Sequence, residues 1–451
     1  MSAGHSSPGI IYKSFKWIKK KLDNYGLTDI FMILTLVWFV YSGFNDGETF
    51  GRTFAFLFAL LPLVMPFFLW SLLNYSWMTY IREQNHWGKR EFCLLEIKLP
   101  EEITQSPYAM ELVLKSMYDV GGIDTPIDEY WHGKTPPWYS LEIVSTDGVV
   151  KFHIWMFRQF KNFIESQLYA HYPGIQIFEV PDYTLKVPFD PSGGDWDFWG
   201  IEQALQKPDP YPIVTYIAHG LDKKDLKEEY KHDPLIGILE FFGSLGPGEN
   251  AWMQMIIRAH TVCPYSKDPL HHIGDIEEWV EAEKEAILSK TVVDEKDKPN
   301  FSRLSEADKD AVNAIERKIH KQVFDVGMRM LYVYRKDSRK GRNNGFPTIM
   351  RAFEHGSEGR GLNGFKPVFT IGPFDYPWQD YFGYRKKKKK KSMFEGYVKR
   401  QYFYPPYAKK WIALNVEELA TVYHFPGSVA HTPSLSRMAS KRGEAPSNLP
   451  T

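Results

Sequence analysis

Two long apolar runs near the N-terminus constrain the fold of this chain more than any other feature. The first covers residues 30–44, and the second covers residues 54–70 without one charged side chain. A helix needs about 20 residues to cross a hydrocarbon core of about 30 Å. The second run reaches that length when it is extended to Leu73, and the first reaches it when it begins at Leu27. The runs therefore predict a transmembrane helical hairpin over residues 27–77.

Basic residues flank both runs and predict an orientation. Lysines dominate the sequence before the first run, and Arg82, Lys89 and Arg90 follow the second. Cytoplasmic flanks carry the excess of Lys and Arg, so residues 1–26 are expected to form a basic cytoplasmic N-terminus, and the chain after the hairpin is expected to be cytoplasmic too. We therefore expect a protein of the cell inner (cytoplasmic) membrane with both termini in the cytoplasm. A cleaved signal peptide or a buried core helix is the less favoured interpretation, because a second apolar run follows the first so closely.

The charge balance of the whole chain argues against a global attraction to nucleic acid. The 451 residues contain 55 basic and 55 acidic side chains, so the formal net charge is zero. Any attraction to a polyanion must therefore be local. The two cysteines, Cys93 and Cys263, form no disulfide framework and are typical of a protein from a reducing compartment.

Beyond the apolar runs the hydrophobic pattern becomes that of an α+β fold. Residues 91–100 and 175–180 predict strands, and the sequence between them predicts a helix, two strands around the turn Asp147-Gly148, and a second helix. This order, β-α-β-β-α-β, predicts a ferredoxin-like domain over residues 90–183. Because that module hosts many functions, the fold alone assigns none.

The remaining sequence predicts a second α+β domain over residues 205–430. Ser305 is suited to cap a helix whose apolar positions recur at helical spacing, and that helix leads directly into a strand. A charged insertion at residues 275–303 interrupts this domain, and residues 431–451 predict a flexible C-terminal tail. The predicted fold class is therefore α+β, with an N-terminal transmembrane helical hairpin, a ferredoxin-like domain and a second α+β domain.

No segment matches a catalytic, nucleotide-binding or metal-binding pattern. Gly133-Lys134-Thr135 resembles the end of a phosphate loop, but Asp128 stands where that loop needs a glycine. Three histidines and one cysteine are not spaced as zinc ligands; they are His260, Cys263, His271 and His272. We predict a non-enzymatic protein with no catalytic, cofactor-binding or metal-binding residues. A hydrolase too divergent to recognise is the least favoured alternative.

A run of basic residues near the C-terminus is the strongest local charge feature. Its members, with two that follow, are Arg385, Lys386, Lys387, Lys388, Lys389, Lys390, Lys391, Lys399 and Arg400. Consecutive like charges repel one another, so we predict a solvated Lys-rich loop over residues 385–391. Anionic lipid would attract such a loop by about 1 kcal/mol for each basic residue near the surface, and nucleic-acid phosphates would attract it too. These residues are therefore candidates for binding lipid or nucleic acid.

Five segments resemble the region before the motor domain in the DNA-transfer ATPases of bacterial type IV secretion and of the HerA/FtsK-like group. They are "YAHYPGIQIFEVPDY" (residues 169–183), "DPLIGILEFFGSLGPGENAWMQMIIR" (233–258), "AIERKIHKQVFDVGMRMLYV" (314–333), "LNVEELATVYHFPG" (414–427) and "GEAPSNLP" (443–450). In that group the equivalent of "EELATVYHFP" precedes a P-loop ATPase core, whereas this chain ends at Thr451. The resemblance therefore implies a motorless, membrane-anchored relative.

The resemblance also implies a partner. A motorless relative would dock a separately encoded P-loop ATPase and would form homo-oligomers through that motor. The candidate docking residues are Glu417, Glu418, His424 and Pro426. An equally simple interpretation is that their segment forms a capped terminal helix of its own domain.

Two functional hypotheses follow. The first is a non-enzymatic scaffold or coupling component of a type IV secretion-like system for DNA or protein transfer, such as conjugation. The alternative is a membrane tether that binds nucleic acid or anionic lipid through its Lys-rich loop. The first requires a motor partner, and the second requires the lysines.

Overall fold

The computed structural model describes residues 38, 41, 47–100, 103–121, 125–223, 233–260, 280–281, 284–285, 287–288, 304–337, 362–372, 374 and 376–427. The chain divides into two compact units. The first comprises Met1–Trp77 and Gly372–Lys389, and the second comprises Met78–Ile371 and Lys390–Thr451. The predicted segments 1–26 and 431–451, and most of the insertion at 275–303, lie outside the described residues.

The helices of the described residues include the second apolar run. They are α1 Gly47–Ile81, α2 Tyr108–Ser116, α3 Pro126–Tyr130, α4 Lys161–His171, α5 Ile236–Gly243, α6 Glu306–Ile319, α7 Tyr384–Val398 and α8 Val416–Val422. A π-helical turn, Arg82–Trp87, follows α1, and short 3-10 turns lie at Arg158–Phe160, Tyr183–Lys186 and Pro377–Gln379. The second apolar run therefore lies within α1.

The predicted transmembrane hairpin over residues 27–77 is wrong. Among the described residues, no helix is long and apolar enough to cross a membrane. Of the first apolar run, only Trp38 and Tyr41 belong to the described part of the chain. The prediction rested on the number of consecutive apolar residues. That number takes no account of the charged residues that begin the helix or of the prolines within it. Helix α1 begins with an exposed ion pair between Glu48 and Arg52 and contains two prolines.

The second unit is built on one antiparallel sheet. Its strands are β1 Phe92–Lys98, β2 Trp138–Thr146, β3 Val149–Phe157, β4 Gln176–Glu179, β5 Trp196–Leu205, β6 Glu249–Ala259, β7 Val323–Arg335, β8 Phe365–Val368 and β9 Ile412–Asn415. The strand order is β4-β1-β3-β2-β6-β7-β5-β8, and β9 pairs with β7. The α+β class of the prediction agrees with this architecture. The strands that the sequence assigned to two domains form a single sheet.

Each half of the sheet has the strand order of a split βαβ module. In the first half, β1, β2, β3 and β4 lie in the order β4-β1-β3-β2, with α2 before β2 and α4 before β4. In the second half, β5, β6, β7 and β8 repeat that relation in the order β8-β5-β7-β6, with α5 before β6. The halves are joined where β2 pairs with β6, so the second strand of each module meets its counterpart.

The hairpin between β2 and β3 shows how local sequence sets the register. Asp147 and Gly148 both have positive φ, at 52° and 85°, as a two-residue hairpin turn requires. The register then pairs Thr146 with Val149 and places Glu142 opposite His153. Because side chains alternate along a strand, this register sends Glu142 and His153 to the same face of the sheet.

The two faces of the sheet differ in what covers them. On one face α2, α4, α5 and α8 pack on apolar side chains such as Leu141 and Phe152. The other face carries an aromatic layer that includes Trp155, Trp252 and Tyr397. The second part of α7 and the residues that follow it contribute to this layer, so both faces are buried.

Candidate functional site

The basic run lies in a helix rather than in a loop. Helix α7 contains the whole of residues 385–391. Farther along the same helix, Met393 and Tyr397 are fully buried in the aromatic layer. Lysine is a good helix former, and the burial of the second half of α7 outweighs the charge repulsion that predicted a loop. The predicted Lys-rich loop is therefore corrected to the first two turns of α7.

Most of these basic side chains are exposed. Residues 385–389, which belong to the first unit, are all exposed. Lys390 is only partly exposed: it forms an ion pair with Asp197 and lies 5.6 Å from the centroid of the Phe198 ring. Lys391 is exposed and lies 3.8 Å from Glu395. The first unit thus presents consecutive exposed cations along one short stretch of helix.

The carboxylate of Asp380 caps the start of α7. The backbone N–H groups of Arg385 and Lys386 donate to its two oxygens at 2.9 and 2.8 Å. The backbone N–H of Gly383 donates to the Asp380 carbonyl at 3.0 Å and closes the preceding turn. Gly383 has a φ of 66°, which glycine adopts without steric cost. A carboxylate at this position is stabilising because it offsets the helix dipole and the neighbouring cations.

Exposed aromatic side chains precede the cations. Tyr381 and Phe382 are 78% and 87% exposed, and their ring centroids lie 5.1 Å apart. Tyr376 and Trp378 are also exposed and stack with their centroids 4.7 Å apart. Among the large apolar side chains whose exposure the structure describes, Phe382 has the greatest exposed fraction. We name residues 376–389 the tip segment, because it brings these rings and the cations together.

A second polar feature crosses the sheet on its aromatic face. Its members stand opposite one another on neighbouring strands: Glu96 on β1, His153 on β3, Glu142 on β2, Gln254 on β6, Arg329 on β7 and Glu202 on β5. All of them are at most 7% exposed. We name this set the central polar row. Because buried charges are costly unless they are paired, each member needs partners within the fold.

Glu142 has the most partners in the row. Its carboxylate accepts hydrogen bonds from Ser140 at 2.7 Å, Gln254 at 2.8 Å, Tyr183 at 2.9 Å and Arg400 at 3.0 Å. Burial opposes the ionisation of this carboxylate. The charge of Arg400 and the hydrogen bonds outweigh burial and hold the pKa of Glu142 below its usual value. Glu142 is therefore ionised and paired at neutral pH.

His153 is the neutral member of the row. Burial lowers its pKa to about 4, against the opposing influence of Glu142 and Glu96. Its Nε2 atom lies 3.8 Å from the Glu96 carboxylate, and its Nδ1 atom has no hydrogen-bond partner among the described residues. The imidazole therefore carries no charge at pH 7.

The row also holds the end of α7. Arg329 donates to the Gly396 carbonyl at 2.7 Å, and Gln254 donates to the Tyr397 carbonyl at 3.3 Å. Arg329 and Gln254 are themselves joined at 2.6 Å. A cation at the C-terminal end of a helix is favourable, because the last carbonyls have no partner within the helix. The row thus links the centre of the sheet to the last turn of α7.

The two remaining basic candidates lie directly after α7. Arg400 is 1% exposed and forms ion pairs with Glu142 and Asp182. Its charge is used inside the fold, so Arg400 is removed from the predicted lipid- or nucleic-acid-binding set. Lys399 is exposed and lies 3.7 Å from Glu83. The position of Lys399 leaves it accessible.

The predicted docking residues are inside the second unit. Glu417, Glu418, His424 and Pro426 are all buried. Glu418 pairs with Lys318 at 3.1 Å, and it accepts hydrogen bonds from the backbone N–H groups of Asn415 and Ile213 at 2.8 and 2.9 Å. The Asn415 side chain accepts the backbone N–H of Glu418 in return. This arrangement is a capping box, so the segment is the capped helix of the alternative interpretation rather than an exposed docking site.

No metal site occurs in the part of the chain that the structure describes. There, no group of three or more His, Cys, Asp or Glu side chains could hold a metal ion. His260 contacts Asp325 at 2.6 Å through its Nδ1 atom. The other members of the rejected zinc cluster, Cys263, His271 and His272, lie outside the described residues.

The comparisons with known proteins leave the family open. No protein-family model matches this chain, and no curated protein matches it. The resemblance to DNA-transfer ATPases therefore rests on the quoted sequence segments. Four of them overlap structural elements of the second unit: the end of α4 and β4, α5 and β6, the end of α6 and β7, and the end of β9 and α8. The fifth lies outside the described residues.

The central polar row and strand β5 were missed at the level of sequence. A usable signal was present for the row, because Glu142, His153 and Arg329 each stand between apolar neighbours in the middle of a largely apolar strand. Such residues are rarely buried without a partner. The identity of the partners depends on strand order, which the local pattern does not contain.

Proposed function

We propose that this protein is a non-enzymatic scaffold that attaches to an anionic lipid surface through the tip segment. The observation that carries the proposal is the position of five consecutive exposed cations, residues 385–389, directly after exposed aromatic rings. The cytoplasmic leaflet of a cell membrane carries anionic lipids and would supply such a surface.

The charge of the tip segment is sufficient for reversible attachment. Each basic residue near an anionic membrane contributes about 1 kcal/mol, so five contribute about 5 kcal/mol in total. That energy corresponds to an increase in affinity of roughly three to four orders of magnitude over an uncharged segment. The attraction extends only about one Debye length, so binding should weaken steeply as salt increases.

The aromatic side chains favour lipid over nucleic acid. Proteins that bind single strands present open ring faces on which bases stack. In the tip segment, Tyr376 and Trp378 stack on each other, and Tyr381 packs against the edge or face of Phe382 in a T-shaped pair. The stacked pair therefore covers one face of each of its two rings, and the T-shaped pair covers part of one ring face. Exposed Tyr and Trp beside cations are typical of side chains that lie at a membrane interface.

The central polar row supports a scaffold role. Its carboxylates and guanidinium group are buried and are paired with neighbours in the row, with tyrosines, with Lys151 and with helix carbonyls. Such groups contribute rigidity and a defined register rather than a reactive centre open to substrate. We therefore propose that the second unit positions partners and that its buried polar groups serve the fold.

The sequence resemblance adds a second part to the proposal. A coupling component of a type IV secretion-like system would hold a separately encoded P-loop ATPase beside the membrane. This part rests on the quoted segments and on no matched relative. It is tested by purifying the full chain from its native host and identifying bound proteins by mass spectrometry. Recovery of a P-loop ATPase in fixed ratio supports it, and repeated absence of any such ATPase contradicts it.

The lipid proposal is tested by vesicle sedimentation. The full chain should bind vesicles that contain phosphatidylglycerol and should not bind vesicles of phosphatidylcholine alone. A variant in which residues 385–389 are all replaced by Gln should lose roughly three to four orders of magnitude in affinity.

A matched variant controls for the loss of five charges. It replaces five exposed lysines of the second unit by Gln: Lys115, Lys186, Lys207, Lys223 and Lys366. This control should bind anionic vesicles nearly as well as the unaltered chain. Equal loss in both variants would show that only net charge matters and would contradict the proposal. Binding of single-stranded DNA but not of vesicles would replace lipid by nucleic acid as the ligand.

A further inference from the structure

We infer that Tyr381 and Phe382 insert into the lipid layer, so that the tip segment recognises an anionic bilayer and not its phosphate groups alone. The inference rests on the proposed function, because it concerns the same surface. It adds an apolar contact to the electrostatic one.

The turn that carries these two rings is built to present them. Its backbone is closed by the hydrogen bond from the Gly383 N–H to the Asp380 carbonyl, at 3.0 Å. Tyr381 and Phe382 occupy the two central positions of that turn. The Asp380 carboxylate is itself fixed by the amides at the start of α7, 2.8 and 2.9 Å away. The two rings therefore stand on an ordered turn rather than on a loose chain.

The exposure of the two rings calls for an apolar partner. Phe382 is 87% exposed and Tyr381 is 78% exposed, and the contact between the rings covers only part of each. Single exposed apolar residues are common on protein surfaces. Two adjacent aromatic rings at the centre of a fixed turn form a continuous apolar tip instead, and removing that tip from water is favourable.

Charge complementarity selects lipid among the apolar partners. The cations of residues 385–389 begin three residues after Phe382, and Tyr384 between them is 69% exposed. A bilayer with anionic head groups offers negative charge at its surface and hydrocarbon directly beneath it. The hydrocarbon would receive the two rings, and the anionic head groups would contact the cations that follow them in the chain. A pocket on a protein partner would need to combine both features by coincidence.

The test separates insertion from charge attraction. The double variant Tyr381→Ser, Phe382→Ser keeps every cation. It should bind vesicles containing phosphatidylglycerol about ten- to a hundred-fold more weakly than the unaltered chain, because burial of one or two aromatic rings contributes that factor. Its binding to inositol hexakisphosphate, a soluble polyanion with no hydrocarbon, should be unchanged.

A matched control removes apolar side chains elsewhere. Ile127 and Leu185 are 63% and 76% exposed and lie in the second unit. The double variant Ile127→Ser, Leu185→Ser should bind anionic vesicles as the unaltered chain does. Far-ultraviolet circular dichroism of all variants checks that the fold is retained.

A direct measurement of depth completes the test. A fluorophore whose emission depends on the polarity of its surroundings is attached to the cysteine of Phe382→Cys. The same chain carries Cys263→Ser, and Cys93 is left unchanged because it is buried. Fluorescence should shift to the blue on binding anionic vesicles and should be quenched by lipids that carry a quencher on the acyl chain. Quenching by head-group quenchers alone would overturn the inference. Full vesicle affinity in the Tyr381→Ser, Phe382→Ser variant would also overturn the inference, but it would leave the proposed function standing. Failure of the unaltered chain to bind any anionic vesicle would contradict the proposed function itself.

Discussion

Glu142 and Gln254 stand opposite each other at the middle of the β2·β6 pairing, where the side-chain amide of Gln254 donates to Glu142 at 2.8 Å. Because β2 and β6 hold equivalent places in the two halves of the sheet, this pair marks the axis about which the halves repeat. The next residues outward in the row are His153 on β3 and Arg329 on β7. The halves are therefore joined at their centre by polar contacts that have defined partners.

The first prediction concerns the ion pair at this axis. Glu142→Gln preserves the shape of the side chain and leaves Arg400 buried without its main counter-charge. Removing one partner of a buried ion pair is expected to lower the free energy of unfolding by about 3–5 kcal/mol. Urea denaturation followed by circular dichroism measures the change.

An exposed ion pair supplies the control for this change. Glu395 lies 3.8 Å from Lys391, and both side chains are more than half exposed. Glu395→Gln should alter the free energy of unfolding by no more than about 0.5 kcal/mol. If Glu142→Gln has an equally small effect, the central polar row does not stabilise the fold.

The second prediction concerns the pH dependence of stability. His153 has a pKa of about 4 in the folded protein and an ordinary value of 6.5. Above pH 6.5 the imidazole is neutral in both states. Between pH 6.5 and 4 the unfolded chain binds a proton that the folded chain does not, so the free energy of unfolding falls as the pH falls. The contribution of this group is about 3 kcal/mol, from a difference of about 2.5 pKa units at 1.36 kcal/mol each.

The variant His153→Gln isolates that contribution. Its free energy of unfolding should decline less steeply between pH 6.5 and 4 than that of the unaltered chain, so the gap between the two should change by about 3 kcal/mol across this range. Carboxylates that titrate in the same range affect both proteins alike. Parallel stability curves for the two proteins would contradict the predicted shift.

Local sequence patterns identified the elements that local forces determine. The Asp147-Gly148 turn and the alternation in β3 were sufficient to place the first hairpin. The sequence from Asn415 to Glu418 also contained a readable capping box, which explains why Glu418 is internal. The docking interpretation gave more weight to family resemblance than to this local signal.

Other features depend on residues that are distant in sequence. The run at 385–391 is helical because residues later in the helix, such as Tyr397, are buried against the sheet. Charge repulsion within the run gave no indication of that burial. Strand β5 mixes aromatic, polar and glycine residues without clear alternation, so its place beside β7 follows from the sheet as a whole. The central polar row likewise exists only once the strand order is known.

The third prediction concerns the close approach of the aromatic layer to the sheet. A Cβ atom added at Gly327 on β7 would lie 2.2 Å from the ring of Tyr402, whose own position is fixed among buried neighbours. Gly327→Ala must displace this ring and is expected to cost about 1–3 kcal/mol of unfolding free energy. The melting temperature measures the loss.

A second glycine gives the opposite expectation. Gly237 is exposed on α5, and an added Cβ there would meet nothing within 4 Å. Gly237→Ala should raise the free energy of unfolding by about 0.5–1 kcal/mol, because alanine restricts the unfolded chain and favours helix. Equal effects of the two substitutions would show that the Gly327 site is not sterically constrained.

The fourth prediction concerns the cap of α7. Asp380→Ala removes the acceptor for the N–H groups of Arg385 and Lys386, and it leaves the cations at the helix start without a nearby carboxylate. Loss of an N-cap costs about 1 kcal/mol, so amide hydrogen exchange in the first turn of α7 should become about five-fold faster. Asp190→Ala removes a carboxylate that accepts the Ser192 N–H in another turn, and it should leave exchange in α7 unchanged. Exchange measured by mass spectrometry on a peptide that covers the start of α7 distinguishes the two. If Asp380→Ala leaves the exchange rate as it is, the basic helix is held by its buried second half alone.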